Sequence, residues 1–319
     1  MTSMIGHDEA WREWRGSMAS DRMHHAWILS GRKGLGKGAF ARAAAAELVA
    51  EPGLAQPRAG MHPDILVPEH PPENKDEVKK RDDGQPYRRK RSIPIDEVRT
   101  IQRRLVTRPT LGNRRVVIID PADDLEKAAA NALLKSLEEP PVGTFFLLVT
   151  HRLGRLMPTL RSRCRVLRFA PLEAAQIESI LRAEAPEADA LTCAAAVAAA
   201  EGSPGAALDF VAQDLGKLYT LMQRLMAEGD DHFALRGAFA DEVGARPDRE
   251  RQLATIDLAR AVVAEQLGQA AGRDQRVIAA HGALVRLGGQ LPTYNFDPGL
   301  VAMEIGALLA SLAAPTEIA

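Results

Sequence analysis

The chain has 319 residues, 46% hydrophobic and 26% charged, with a formal net charge of −1. That length suits two or three domains of an ordinary soluble protein, and the near-zero charge excludes a global attraction to nucleic acid. No stretch reaches the roughly 18 apolar residues of a membrane span. The start, MTSMIGHDEAWREW, lacks an apolar signal core, and Cys164 and Cys193 alone make neither a disulfide framework nor a four-ligand zinc site, so the expectation is a cytoplasmic protein.

The first half alternates short apolar runs with helical stretches, the pattern of a parallel α/β sheet. Strands are predicted at Ala26–Ser30, Asp64–Val67, Val116–Asp120, Phe145–Thr150 and Arg165–Phe169, with helices at Phe40–Val49 and Ile95–Val106. The first strand runs into GRKGLGKG, which meets the phosphate-loop pattern G-x-x-x-x-G-K-[ST] at Gly31, Gly36 and Lys37, with a further glycine at Gly34. In that pattern glycines let backbone N–H groups wrap phosphates, the lysine reaches the β/γ oxygens and a hydroxyl holds Mg²⁺. Gly38 stands where the hydroxyl belongs.

Between Glu69 and Arg91 apolar side chains nearly vanish and the charges are mixed, so this segment is expected to be a flexible, solvated insertion. Its basic end, Arg88 to Arg91, is the one local candidate for a nucleic-acid contact. A second apolar strand ends in Asp120, as in a Walker B strand whose Asp helps hold Mg²⁺ through water. The next position, where a water-polarising Glu would act, is Pro121, which carries no carboxylate. Asp123, Asp124 and Glu126 are expected at the positive end of the following helix, which Pro140 and Pro141 stop.

From Pro171 onward strand signals disappear. LEAAQIESILRAEAP and Leu191–Glu201 read as small packed helices ending at Gly202-Ser203-Pro204-Gly205. Amphipathic stretches follow, with Leu253, Ile256, Ala259, Val262 and Val263 at helical spacing and breaks near Gly229, Pro247, Gly272 and Pro292.

With RLMPTLRSRCRVLRF the motifs become specific in combination. HHAWILSGRKGLGK, IDPADDLEKAAANALLKSLEEPP, FFLLVT, LMPTLRSRC and GSPGAAL together resemble the clamp-loader subunits of the AAA+ superfamily, within them the delta-prime branch of bacterial DNA polymerase III. The resemblance implies an AAA+ α/β domain with a five-stranded parallel sheet at 1–170, a helical lid at 171–212 and an all-α collar at 213–319. It also implies an arginine finger, Arg163 of the Ser-Arg-Cys motif, acting in trans on a neighbour's γ-phosphate. Thr150 matches the sensor-1 position, and Gly205 stands where active members place a sensor-2 Arg.

Gly38, Pro121 and Gly205 thus each remove a different part of a hydrolytic apparatus, so no hydrolysis is expected in the chain's own site. Gly34, Gly36 and Lys37 retain the means for weak ATP or ADP binding, with no cofactor required. Alternatively Lys37 caps a local carbonyl or pairs with Asp120. The four-cysteine zinc module of many relatives is absent from AEPGLAQPRAGMHPD at Ala50–Asp64, where His62 reads as surface or packed, so no zinc is expected.

The partners implied are gamma/tau-type ATPase subunits, the clamp-opening delta subunit, and through the complex the sliding clamp and primed DNA. The competing reading is an autonomous AAA+ ATPase with atypical motifs; a DNA-binding module using Arg88–Arg91 is a third.

Overall fold

In the first half the strands carry apolar side chains on both faces, and both faces are buried. In the computed structural model, which describes residues 5–313 except 21, 52, 54–56, 58, 231, 270–274, 292, 293 and 295, the chain separates into two units after Pro171. The first holds β1 (Ala26–Ser30), β2 (Ile65–Leu66), β3 (Arg115–Ile119), β4 (Thr144–Thr150) and β5 (Arg165–Arg168). They form one parallel sheet in the order β2-β3-β4-β1-β5.

Because side chains alternate across a strand, Trp27, Leu29, Val116, Ile118, Leu147 and Val149 face one layer. Ala26, Ile28, Val117, Ile119, Phe146 and Leu148 face the other. The first layer is closed by α1 (Asp8–Met18), through Trp14, and α2 (Lys37–Val49), through Phe40, Ala44 and Leu48. The second is closed by α4 (Ile95–Leu105) and α5 (Lys127–Glu138), after the short α3 (Lys75–Asp82); Val98, Ile101 and Leu105 recur at helical spacing on α4. A one-turn helix, α6 (Pro158–Arg161), precedes β5.

The segment expected to be a flexible insertion has regular structure instead. Asn74 caps α3 by accepting from the N–H groups of Asp76 and Glu77, both at 3.0 Å. Glu77 is buried and accepts from Lys80 Nζ at 2.8 Å and the Arg88 N–H at 2.7 Å. Pro72 and Arg89 form an antiparallel bridge that closes the loop. Local hydrogen bonds supply the order that apolar burial does not.

The second unit is wholly helical among the described residues: α7 (Ala174–Glu184), α8 (Ala190–Ala199), α9 (Pro204–Ala212), α10 (Gly216–Glu228), α11 (Ala234–Val243), α12 (Arg249–Gln269), α13 (Gln275–Gln290) and α14 (Pro298–Ala310). One apolar core runs from Leu172 to Leu309, with α12 packed on α13 and α14 packed on α10 and α11. Ser203 and Asp297 cap α9 and α14, each followed by proline at the first helical position. Gly229 ends α10, and Pro247 precedes α12; the breaks expected near Gly272 and Pro292 lie outside the described residues. Among the described residues no helix is long and apolar enough to cross a membrane.

A buried ion pair ties the edge of the sheet to the loop before β3. Asp64 is 0% and Arg115 2% exposed. The Asp64 carboxylate accepts from Thr110 N (2.7 Å), Leu111 N (2.8 Å) and Arg115 Nη2 (3.3 Å), while Arg115 also donates to the Thr107 and Arg108 carbonyls. Burial opposes ionisation of Asp64, but the two N–H groups and the guanidinium outweigh it and hold the carboxyl below its ordinary 3.8. Its contribution is therefore present above pH ~3.8 and lost as pH falls through the lower folded value. Asp64→Ala is expected to cost about 3–5 kcal/mol by leaving Arg115 buried and unpaired. Thermal unfolding at pH 7 would measure the loss, and the variant should lack this share of the acid dependence.

Candidate functional site at the phosphate loop

The parallel register brings the carboxyl ends of β1, β3 and β4 together. Ser30 stands beside Thr150, and Ile119, the residue before Asp120, stands beside Leu148. Gly31 leaves β1 against β5: a Cβ there would lie 2.7 Å from the Phe169 carbonyl oxygen. Gly34 and Gly36 have φ of 82° and 77°, so the loop takes two left-handed steps before α2 begins at Lys37. The helix therefore starts three residues earlier than predicted. From the other side His7 Nε2 bonds the Leu35 carbonyl at 2.8 Å, and its ring meets Phe169 edge-on.

Lys37 is only 3% exposed and donates to the Arg32 carbonyl at 2.5 Å. Of the two alternatives in the sequence, the ammonium takes the carbonyl cap. Burial pulls its pKa from 10.5 to about 8, against the attraction of Asp120 and Asp123. Asp120 pairs instead with Arg42, one turn into α2, at 3.6 Å. It is followed by Pro121 through a cis peptide bond.

Asp123 does not sit at the end of α5 as expected, since Ala122–Asp124 form a 3₁₀ turn and α5 starts at Lys127. Its carboxylate accepts from Thr150 Oγ1 at 2.9 Å and from His151 N at 2.7 Å. The sensor-1 hydroxyl is thus turned onto an internal carboxylate. Beside it the Nδ1 of His151 is buried with no hydrogen-bond partner; burial first, then Lys37, lowers the pKa of this imidazole.

A phosphate-loop Mg²⁺ needs a hydroxyl after the lysine and an available Walker B carboxylate. Neither condition is met. A Cβ on Gly38 would collide with Asp120 Oδ2 and come within 3.1 Å of Arg42 Nη1. The residues present do not fit a divalent cation. His62 of the predicted zinc-free segment is buried, with Nδ1 accepting from the Asp64 N–H at 3.1 Å; residues 52, 54–56 and 58 of that segment lie outside the described residues.

Arg163 lies apart from this group. It precedes β5, whose Arg165 pairs with Trp27, whereas the loop follows Ser30 at the opposite end of β1. At about 3.3 Å per residue, β1 alone separates them by ~10 Å or more. The guanidinium pairs with Glu138 at the end of α5 and donates to the Thr159 carbonyl at 2.9 Å, leaving the side chain 34% exposed. Gly205 lies in the first turn of α9 in the second unit.

A model of the family described as DNA polymerase III, delta subunit, matches residues 6–173. The chain belongs to that family. It is 34% identical over 257 residues to DNA polymerase III subunit delta' of Escherichia coli, covering 75% of this chain and 70% of that protein. It is 36% identical over 193 residues to the same-named subunit of Pseudomonas aeruginosa, covering 56% of this chain and 53% of that relative, about half its length. The crystal structure of a gamma subunit-related protein of DNA polymerase III from Thermotoga maritima shares the fold, with a TM-score of 0.50 at 20% identity, over 95% of this chain and 99% of that one.

The family motifs do not include Arg42, Asp123 or His151, which the sequence reading missed. Arg42 had one usable signal, its place four residues after Gly38 on the same helical face. Asp123 and His151 had none, because only the pairing of β3 with β4 joins them. At neutral pH the folded family domain holds Lys37 charged and buried, which disfavours folding until the ammonium is neutralised. Wild-type stability should therefore rise, relative to Lys37→Met, as pH increases from about 8 to 10.5. Parallel thermal unfolding across that range tests this; a constant difference would contradict a buried ammonium.

Proposed function

We propose that this chain is a clamp-loader subunit of bacterial DNA polymerase III that does not hydrolyse ATP in its own site and lends Arg163 to a neighbouring ATPase subunit. The observation that carries the proposal is the opposed placement of Arg163 and the chain's own loop. A guanidinium at the amino edge of a parallel sheet cannot serve a phosphate site at its carboxyl edge in the same chain. Across a subunit boundary its planar charged fork suits the charge that spreads over a transferring phosphoryl group. Its partly exposed pair with Glu138 is of the kind worth about 0–1 kcal/mol, so a phosphate can outcompete it.

In this reading residues 171–212 act as the lid and 213–319 as the oligomerising collar. The partners are gamma/tau-type ATPase subunits, a clamp-opening delta subunit, the sliding clamp and primed DNA. The relatives' names and the losses at Gly38, Pro121 and Gly205 support it.

The test is Arg163→Ala in the reconstituted complex. Assembly should persist, and single-turnover hydrolysis at the one site Arg163 faces should slow by about 10³-fold. Unchanged hydrolysis would reduce Arg163 to a surface residue. Turnover by the isolated chain, abolished by Lys37→Ala, would favour the autonomous ATPase.

A further inference from the structure

The space where a phosphate-loop metal would be held is filled by this chain's own charges. Gly38 has no side chain, and the Asp120 carboxylate lies against its backbone in the volume a Cβ would need. Arg42 closes the arrangement, with Nη1 3.6 Å from Asp120 Oδ2 and within 3.1 Å of the same Cβ position. Three residues from two elements thus converge on one point: Gly38 supplies the room, Asp120 the anion and Arg42 the cation. Arg42 remains 49% exposed at its side chain, so part of its fork still faces the mouth of the loop.

We propose that Arg42 is the resident cation of this loop, standing on Asp120 in place of a divalent metal, so that the loop takes a nucleoside triphosphate without magnesium. A guanidinium can accept a carboxylate on one edge and phosphate oxygens on another, and it cannot be deprotonated in a protein. Magnesium carried in by a nucleotide would meet the Arg42 positive charge and no free carboxylate. The arrangement rests on the phosphate-loop reading of Gly31–Gly38 and does not involve Arg163.

The experiment is equilibrium binding of a fluorescent ATPγS analogue to the full chain, in EDTA and in excess Mg²⁺. Wild type should bind with the same affinity within about twofold, or more weakly in Mg²⁺. Arg42→Gln should weaken binding in EDTA by at least tenfold, with Arg42→Lys in between. Gly38→Ser combined with Arg42→Ala should make binding depend on Mg²⁺, which Gly38→Ser alone should not. Arg163→Ala should bind like wild type, so a failed finger would show only in the complex. The idea is overturned if Mg²⁺ tightens wild-type binding tenfold, if Arg42→Gln binds normally, or if wild type does not bind at millimolar nucleotide.

Discussion

A parallel sheet covered by helices on both faces leaves its strand ends as the place for polar chemistry. In this chain the constraint governs both functional regions. The order β2-β3-β4-β1-β5 sets the carboxyl ends of β1, β3 and β4 side by side, which gathers the glycine loop, Asp120 and Thr150. The same direction of the strands sends the Ser-Arg-Cys turn, which precedes β5, to the other edge. One structural rule therefore separates a loop that faces the chain's own ligand from an arginine that faces outward.

At the carboxyl edge the changes to the phosphate loop are coordinated by charge. An unpaired carboxylate or ammonium withdrawn from water costs several kcal/mol, so a site without its metal and phosphates must satisfy its groups internally. Lys37 turns to the Arg32 carbonyl, Asp120 to Arg42, and Asp123 takes the Thr150 hydroxyl and the His151 N–H. Gly38 is then more than a missing hydroxyl. Its lack of a side chain is what allows Asp120 to lie where it does.

The apolar architecture was legible because alternation and helical periodicity are properties of neighbouring residues. Both layers of the sheet, the phosphate-loop helix and the amphipathic helices after Pro171 follow from such patterns, with ends displaced by a few residues. The polar stitching was not legible. The stretch from Glu69 to Arg91 looked too charged to order, yet Asn74, Glu77 and Arg88 close it with hydrogen bonds that composition does not register. Asp64 and Arg115 lie far apart in the chain and carry no pattern, although together they pin the loop before β3.

By itself the sequence determined the fold class, the family and the three substitutions at Gly38, Pro121 and Gly205, because each is a matter of residue identity at a fixed spacing. Only the tertiary structure decided which charges answer which. Arg42 meets Asp120 because α2 and β3 pack together, and Asp123 meets Thr150 because β3 and β4 pair. Coulomb attraction and hydrogen bonding act over a few ångströms in space, whatever the separation along the chain.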